Sequence, residues 1–529
     1  MTRVDQPAAT RHHTVVVGGG AAGCALAARL SAAGDRTVLL IEAGSDDATL
    51  AQRMAAPGRV PPGAAWQLTA RVPAWGTEYP LPRIRAVGGT SLVQGGVALR
   101  GLPRDYDRWA ERAGPDWGHE RLLPVFARIE ADQDTGSTGA LGIRRGTREE
   151  RQPLHEAFLA GCAELGTPYC GNLNSPTGTG AGPVPQARRG TVKETARGAY
   201  LDPARGRSSL AVLPLTRATR LLVRDGRAVG VETTSAERGR ERHLADQVVL
   251  TAGAVASAML LLRSGIGDPA ELRAAGLPVV APLVGVGTRV RDHPAVWTTF
   301  GLASGHGRPD PLWFQVMMRH AAEDGDGLPD FTLEMYHDFR LLPAPTALRR
   351  GVLTASLLAP GGTGRVRLDR RRPQGTPLLE FDYTEKDLTD LHSAVAFGHG
   401  LLRTYALRRL GVREPRLVSV AGHGGHGTGP LPRAIPLPGG GVEPCSVAPQ
   451  DVARSAVTAH HLHGGCPMGP DPDRGDVVDE RCRVHGVENL FVGDTGIAPT
   501  PIRANTHLLA LCAAERLGDI LTHGPKDSN

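Results

Sequence analysis

The segment between Thr14 and Glu42 constrains the fold of this chain more than any other part of the sequence. An apolar, β-branched run ends at Val17, a turn of sequence GGGAAG follows, and small residues typical of a closely packed helix continue to Leu30. A second apolar run, Val38–Ile41, then leads directly to the acidic residue. The order of strand, glycine turn, helix, strand and acid is typical of a dinucleotide-binding βαβ unit.

The positions within this turn fit the contacts that a dinucleotide needs. Gly18 permits the tight turn, Gly20 lets the backbone approach a pyrophosphate, and Gly23 lets the helix lie close on the strand. Ala22 completes the turn, where the first N–H groups of the helix face the phosphates. Glu42 lies 19 residues after Gly23, where a carboxylate can accept hydrogen bonds from an adenosine ribose. The motif predicts a bound adenine dinucleotide and leaves NAD and FAD as alternatives.

The composition is that of a globular protein long enough for two domains, with 529 residues, 41% apolar and 22% charged. The net charge is +6, but arginines and acids are interspersed and no basic stripe alternates with aromatic residues, which argues against nucleic-acid binding. Seven cysteines are scattered without a CxxC pair, as expected for reduced thiols. Because no run of 18 apolar residues and no apolar N-terminal segment occurs, we expect a cytoplasmic protein without an integral membrane segment.

A second glycine-rich loop lies at residues 85–101, where five glycines and two hydroxyl side chains suit a backbone lying against a flat ring or a phosphate. This segment resembles the first signature of the glucose-methanol-choline (GMC) flavin oxidoreductases, and Pro103–Trp109 continues it. Three further stretches are similar to blocks of the same family: residues 252–267, 284–294 and 461–521.

The resemblance implies FAD in place of NAD and a fold of two domains. The first is an α/β FAD-binding domain, Rossmann-like and of the GMC or glutathione-reductase type. The second is an α+β substrate domain built on an antiparallel sheet. The implied FAD-binding domain is discontinuous, with residues 1–150, 190–295 and 455–522, and the substrate domain takes residues 151–189 and 296–454.

Alcohol oxidation needs a base for the hydroxyl proton and a group that orients the resulting oxygen. The family pattern His-x-x-Gly-x-Cys-x-Met-Gly places the base on His461, and the second active-site position, His or Asn in the family, falls on Asn505. The resemblance therefore implies an FAD-dependent alcohol oxidoreductase that transfers hydride from a carbinol carbon to flavin N5 and gives an aldehyde or a ketone. Its partners would be a small alcohol and an electron acceptor, either O2 or a carrier.

The same resemblance implies the residues that bind FAD beyond the first turn. The loop over the isoalloxazine comprises Gly88, Gly89, Ser91, Gln94 and Gly95, the backbone of Thr219 contacts adenine, and Asp494 lies near the ribityl or pyrophosphate. Thr506 and His507 begin the final helix, whose N-terminal N–H groups favour negative charge at the flavin pyrimidine edge.

Three positions depart from the family pattern. Gln94 replaces the usual Asn, Ala258 replaces a proline, and Gly465 replaces a threonine near the base. Val93 occupies the position at which some members attach flavin covalently through a histidine, so we expect non-covalent FAD.

Several alternatives stay open at this point. His507 could replace Asn505 as the second active-site group if the final helix begins later. His460 and His463 are interpreted as a packing or hydrogen-bonding pair beside the base. A metal site is disfavoured because the spacing of these histidines and Cys466 fits no common zinc framework. A non-redox lyase of the hydroxynitrile type and a flavoprotein without catalysis are the rival functions. The arginine-rich, bacterial-type composition suits a role in specialised metabolism or a mycofactocin-linked dehydrogenase.

Overall fold

The βαβ unit forms where the glycine turn predicts it, in a computed structural model that describes residues 11–50, 60–303, 314–321, 327–337, 350–419, 433–435 and 447–523. The first strand is Arg11–Val17, the helix is Ala21–Leu30, and the strand Val38–Ile41 lies parallel to the first. All four residues of the second strand are buried, as expected when helices cover both faces of a parallel sheet.

This unit belongs to a sheet whose parallel strands end at one common edge. In spatial order the parallel strands are Leu210–Leu213, Val38–Ile41, Arg11–Val17, Gly239–Leu250 and Leu490–Val492. An antiparallel pair, Arg217–Arg224 and Arg227–Ser235, extends the sheet beside Gly239–Leu250. Ligands of α/β sheets bind at the carboxyl ends of the strands, and both the glycine turn and Asp494 follow such ends directly.

In a second large sheet, the strands of the described residues pair with one another in antiparallel fashion. Its strands, in spatial order, are Gly180–Pro183, Phe314–His320, Phe331–His337, Arg350–Leu357, Pro294–Gly301, Arg413–Ser419 and Arg433–Ile435, and Ala456–Thr458 also pairs with Pro294–Gly301. The helix Glu385–Leu402 covers one face, where Gly398 lies against Leu353 and Leu333. The expected α+β architecture is therefore present.

The remaining elements form smaller sheets and covering helices. The strands are Ala65–Trp66 with Arg83–Ile84; Thr69–Val72, Thr77–Pro80, Thr363–Arg367 and Leu378–Asp382; Glu130–Asp132, Ser137–Thr138, Leu141–Arg144, Gln186–Arg189 and Val192–Lys193; and Ile266–Gly267 with Ala281–Pro282. The helices are Pro103–Ala113, His119–Ile129, Pro153–Glu164, Asp202–Ala204, Ala254–Arg263, Pro269–Ala274, Tyr405–Arg408, Pro449–Ser455 and His507–His523, with a π-helical turn at Arg197–Leu201.

The helical pattern that runs from Lys386 to Arg409 in the sequence is divided in two in the structure. The first helix ends at Leu402 and a second begins at Tyr405. The Glu164 carboxylate caps the second helix, because it accepts hydrogen bonds from the backbone N–H groups of Tyr405 (2.8 Å) and Ala406 (2.9 Å). A residue so distant in sequence gives no local signal.

The proposed domain boundaries are not decided by these pairings. Ala456–Thr458, from the interval 455–522, lies in the antiparallel sheet, whereas Leu490–Val492 of the same interval lies in the parallel sheet. The division into the five intervals therefore stays a prediction. Within the described ranges, no helix combines the length and the apolar character needed to cross a membrane.

Candidate active site

The glycine turn leaves room for a ligand on one side only. A Cβ atom on Gly18 would lie 2.5 Å from the Cα of Ala252, and one on Gly23 would lie 1.8 Å from the Gly18 carbonyl oxygen, so both positions are closed by backbone. At Gly20 the nearest atom to such a Cβ is the Thr251 carbonyl oxygen at 4.0 Å. The space beside Gly20 is therefore the open side of the turn, where a pyrophosphate can approach the helix N-terminus.

Glu42 fastens the turn to the end of its own strand. Its two carboxylate oxygens accept hydrogen bonds from the backbone N–H groups of Gly19 and Gly44, each at 2.8 Å. Burial raises the pKa of Glu42 to about 7, and these two donors oppose the rise. A carboxylate has about four acceptor positions, so the group retains capacity for ribose hydroxyls.

The second glycine loop packs directly on the first turn. The Gly88 N–H donates to the Gly19 carbonyl at 2.7 Å, and a Cβ on Gly89 would lie 2.8 Å from the Cα of Gly20. The Ser91 hydroxyl donates to the Gly88 carbonyl (2.6 Å) and accepts from the Ala196 N–H (3.3 Å), which holds the loop in place. The two glycine segments thus form one continuous backbone surface.

Asp494 joins the ends of two neighbouring parallel strands. It is 2% exposed, and its carboxylate accepts from the Gly253 N–H (2.8 Å), the Ser257 hydroxyl (2.6 Å) and the Gly496 N–H (2.7 Å). Burial raises the pKa of this carboxyl group, and the three donors act in the opposite direction. The segments around residues 253 and 494 are therefore fixed at the same sheet edge as the glycine turn.

Lys193 lies against the second glycine loop, and sequence reasoning missed it. Its ammonium group donates to the carbonyls of Leu92 (2.7 Å) and Gln94 (3.2 Å), and burial lowers its pKa to about 8. Burial also lowers the pKa of His507 to about 4, with a further contribution from the Lys193 charge. Buried polar atoms without a partner within the described residues include Nε2 of Gln94 and Nε2 of His507, which a bound cofactor would satisfy.

The remaining proposed cofactor positions are Thr219, Gly95 and Thr506. Thr219 sits where the pairing of Arg217–Arg224 with its neighbour strand is interrupted, so its backbone is outside the regular ladder. The Gly95 carbonyl accepts from the Gln186 side chain at 3.5 Å. The final helix begins at His507, and the Thr506 carbonyl accepts from the Ala510 N–H at 3.1 Å.

His461 and Asn505 lie together although they are 44 residues apart in sequence. The Asn505 Nδ2 and the His461 Nε2 are 2.9 Å apart. On the opposite side of the same ring, the His461 Nδ1 is 2.9 Å from the Nδ1 of His293, whose Nε2 is 3.0 Å from the Ile502 carbonyl oxygen. A chain of hydrogen bonds therefore runs from a carbonyl through two imidazoles to an amide.

This series of hydrogen bonds determines which nitrogen of each imidazole ring carries a hydrogen. A carbonyl only accepts, so the His293 Nε2 must carry a hydrogen. Burial lowers the pKa of His293 to about 4, so the ring is neutral and its Nδ1 accepts the hydrogen of the His461 Nδ1. Burial, followed by the neighbouring His293, lowers the pKa of His461 well below its usual value. The His461 Nε2 is therefore an unprotonated nitrogen that accepts from the Asn505 amide.

Asp292 holds the backbone of His293 and of His461. The buried carboxylate accepts from the backbone N–H groups of His293 (2.9 Å) and His461 (2.8 Å), and from the Thr458 hydroxyl. The sequence places an acid beside His293, but nothing in the local pattern indicates that it reaches residue 461. Long-range backbone contacts of this kind carry no periodic signal.

The two flanking histidines have separate places in the structure. His463 is fully buried, and its Nδ1 donates to the His461 carbonyl at 2.9 Å. His460 adopts a left-handed backbone (φ +65°), and its carbonyl accepts from the Arg83 guanidinium at 3.2 Å. Among the described residues, no three His, Cys, Asp or Glu side chains are grouped closely enough to hold a metal ion.

Two family models match most of this chain. The N-terminal model of the GMC oxidoreductases matches residues 12–295, and the C-terminal model matches residues 360–514. The chain belongs to the GMC oxidoreductase family. An oxygen-dependent choline dehydrogenase of Vibrio vulnificus is 29% identical, over 95% of this chain and 92% of that protein. A GMC-type oxidoreductase of Rhodococcus erythropolis is also 29% identical, over 94% of this chain and 96% of that protein.

Solved structures of GMC oxidoreductases share the whole fold. The crystal structure of pyridoxine 4-oxidase from Mesorbium loti has a TM-score of 0.83 and 30% identity, and covers 97% of this chain and 99% of its own. A formate oxidase structure, at 19% identity with a TM-score of 0.84 over 98% of this chain and 99% of its own, agrees in fold.

As a GMC oxidoreductase, the chain uses FAD and acts on CH–OH donors. The residues present fit this cofactor on structural grounds. The open side of Gly20, the acceptor capacity of Glu42 and the unpartnered nitrogens of Gln94 and His507 all lie along the surface formed by the two glycine segments and the final helix. The GMC signature residues thus form a continuous candidate FAD site that ends beside His461.

Proposed function

We propose that this GMC oxidoreductase converts an alcohol to an aldehyde or a ketone, with His461 as the base and Asn505 as the group that holds the oxygen. The observation that carries the proposal is the series of short contacts from the Ile502 carbonyl through His293 and His461 to Asn505, from which the tautomer of His461 follows. Its Nε2 is unprotonated because the Nδ1 hydrogen is committed to His293. A base must offer a lone pair to the substrate hydroxyl. The hydrogen bond to His293 leaves this lone pair on the His461 Nε2 before substrate binds.

The roles of the two residues follow from their contact. In the resting structure the Asn505 amide donates to the His461 Nε2. A substrate hydroxyl bound between them would donate its hydrogen to that nitrogen and accept the amide hydrogen at its oxygen. The carbinol carbon then loses a hydride and the oxygen loses a proton, which leaves a carbonyl group. Bound FAD supplies the acceptor for the hydride.

The proposed FAD contacts are those of the two glycine segments, Glu42, Thr219, Asp494 and the start of the final helix. Because Val93 occupies the position at which a histidine would attach the flavin, we propose that the cofactor is non-covalent.

Anaerobic mixing of the purified holoenzyme with a panel of primary and secondary alcohols tests the function. We expect the flavin absorbance near 450 nm to bleach with at least one alcohol, and we expect bleaching to be lost in His461→Ala while FAD stays bound. His485→Asn is the matched control, because that partly buried histidine of the same segment only donates to the Gly469 carbonyl at 2.9 Å. A protein that cleaves a cyanohydrin without bleaching would be a lyase and would contradict the proposal. Repeating the assay in air identifies O2 or a carrier as the acceptor.

A further inference from the structure

Glu334 is a buried carboxyl group that the proposed chemistry does not use. It lies on the strand Phe331–His337 with 7% of its surface exposed, and the Tyr336 hydroxyl donates to its carboxylate. Burial raises the pKa of Glu334 to about 7, and only the Tyr336 hydroxyl opposes the rise, so no arginine, lysine or histidine of the described residues compensates this charge. A buried carboxylate without a cation is unfavourable and is a candidate for ligand recognition.

The pairing of the strands shows which face of the sheet Glu334 occupies. Directly paired residues of neighbouring antiparallel strands share a face, and Glu334 is paired with Thr354 and with Met317. The adjacent residues Leu333 and Leu353 contact the helix Glu385–Leu402 at Gly398. Because side chains alternate along a strand, Glu334 projects from the face opposite this helix.

One end of that face lies over the active-site loop, the segment from Ile502 to Asn505. Arg319 is paired with Thr332, two residues before Glu334, so both side chains share its face. The Arg319 guanidinium donates to the Arg503 carbonyl at 2.7 Å, between Ile502 and Asn505 in the chain. The sheet face that bears Glu334 is therefore turned towards the residues that hold His293 and His461.

The other end of the face lies beside the second glycine loop. Tyr336 is paired with Phe314, and their rings stack with centroids 4.8 Å apart. The Gln186 side chain donates to the Phe314 carbonyl (2.7 Å) and to the Gly95 carbonyl (3.5 Å). Rows of side chains on one face are about 7 Å apart along a strand. Glu334 thus lies between the row over the active-site loop and the row beside the loop proposed to hold the flavin ring.

The face around Glu334 carries apolar and aromatic side chains beside the two threonines Thr332 and Thr354. Met317 is directly opposite it, the Phe314 and Tyr336 rings form the next row, and Trp297 lies in the same row as Glu334, paired with Thr354. Aromatic faces and a carboxylate without a cationic partner together match the chemistry of a protonated amine. A neutral alcohol group alone would not compensate the buried charge.

We propose that Glu334 and Tyr336 bind a protonated amino group of the substrate, so that the enzyme oxidises amino alcohols. This inference rests on the proposed function. The strand of Glu334 lies two strands from Pro294–Gly301, which follows His293, and two strand spacings are about 10 Å. The side chains of Glu334 and of His461 extend into this distance of about 10 Å and shorten it. We therefore expect a substrate whose amine and carbinol carbon are several bonds apart, for example on opposite sides of a benzene ring.

Two benzyl alcohols of similar shape test the proposal. We expect wild-type holoenzyme to prefer 4-(aminomethyl)benzyl alcohol to 4-ethylbenzyl alcohol by at least tenfold in kcat/KM. In Glu334→Gln, kcat/KM for the amine should fall at least tenfold, mostly through KM, while the value for 4-ethylbenzyl alcohol stays within twofold. Glu380→Gln, the same chemical change on the separate strand Leu378–Asp382, is the control and should leave both values unchanged. Equal losses for the two alcohols in Glu334→Gln, or no loss for the amine, would overturn the proposal.

A binding measurement separates failure of this inference from failure of the proposed function. The probe is 4-methylbenzylamine, which has the amine but no hydroxyl group. We expect it to raise the melting temperature of wild type and of Glu380→Gln, but not that of Glu334→Gln. If no alcohol bleaches the flavin while this pattern is observed, the amine site is supported and the oxidation is contradicted. If an alcohol bleaches the flavin and the probe stabilises wild type and Glu334→Gln equally, the amine site is overturned.

Discussion

The imidazole rings of His293 and His461 meet through their Nδ1 atoms, 2.9 Å apart, with the ring planes at 76°. Two nitrogens can form one hydrogen bond only if one carries a hydrogen and the other does not. The Ile502 carbonyl decides which, because it requires the hydrogen of His293 on the far nitrogen. The Ile502 carbonyl thus determines, through the His293 ring, that the His461 Nε2 carries no hydrogen.

Replacing His293 by phenylalanine should impair the base without removing it. The variant keeps a buried ring but removes the acceptor for the His461 Nδ1 hydrogen, so His461 can adopt the other tautomer. A positioned base contributes about 10²–10⁴-fold to the rate, and we expect kcat to fall by about tenfold to hundredfold as part of that contribution. The ¹⁵N shifts of the His461 ring should report a mixture of tautomers.

The matched control for this variant is His399→Phe. His399 is also buried, with its pKa lowered to about 4 by burial, but its Nε2 bonds the Thr298 hydroxyl at 3.0 Å on the helix-covered face of the sheet. We expect an unchanged kcat for folded His399→Phe. If His293→Phe retained both wild-type kcat and a single His461 tautomer, the positioning role of His293 would be wrong.

The pH dependence of the reaction should lack an acidic limb from the base. The pKa of His461 in the free enzyme lies well below 6.5, so the ring stays neutral as the pH falls through the range in which an ordinary histidine becomes protonated. We therefore expect kcat/KM for a neutral alcohol to stay flat between about pH 8 and 5.5. For an amine-bearing alcohol it should fall as the pH drops through about 7, where Glu334 takes up a proton. An acidic limb near pH 6.5 for both substrates would contradict the assignment.

Changing Asn505 to Asp should introduce an acidic limb in the pH profile of kcat/KM that wild type lacks. A carboxylate at this position would lie about as close to the His461 Nε2 as the amide does, at 2.9 Å. An opposite charge at this range favours the protonated ring and raises its pKa. We expect kcat/KM to decrease at low pH in this variant, while Asn505→Ala lowers kcat without moving the profile. Coincident profiles for wild type and Asn505→Asp would show that the two side chains do not interact in solution.

The sequence predicts those parts of the molecule whose signals are local. The βαβ unit follows from its glycine turn and its apolar runs, and the family resemblance implies the antiparallel sheet and indicates His461 and Asn505, which lie 2.9 Å apart. The partners of these residues come from distant segments with no periodic signal. Asp292 reaches His461 across 169 positions through a single carboxylate oxygen, and only the three-dimensional pairing of strands reveals the face that Glu334 occupies.

Lys193 should contribute to FAD affinity because it fastens the loop proposed to contact the flavin ring. Removing a hydrogen bond to a charged group costs about 1.5–3 kcal/mol, so we expect the Kd for FAD to rise by at least about tenfold in Lys193→Met. Lys386→Met is the control, because Lys386 is 79% exposed in its side chain and pairs with Asp390 at 2.8 Å on the surface. Titration of the apoproteins with FAD by flavin fluorescence gives both constants. Equal affinities would show that the loop keeps its shape without the ammonium group.

Two alanine substitutions in the first glycine turn should have different effects on folding and on cofactor binding. A Cβ on Gly23 would lie 1.8 Å from the Gly18 carbonyl oxygen, so Gly23→Ala must displace backbone and should lower the melting temperature even of the apoprotein. At Gly20 the backbone is extended (φ −72°), and the new methyl group meets nothing nearer than 4.0 Å, so the Gly20→Ala apoprotein should melt as wild type does. The methyl group would nevertheless occupy the open side of the turn, and we expect at least a tenfold weaker Kd for FAD. Calorimetry of the apoproteins and FAD titration measure the two effects separately. Wild-type FAD affinity in folded Gly20→Ala would mean that the pyrophosphate does not lie against this glycine.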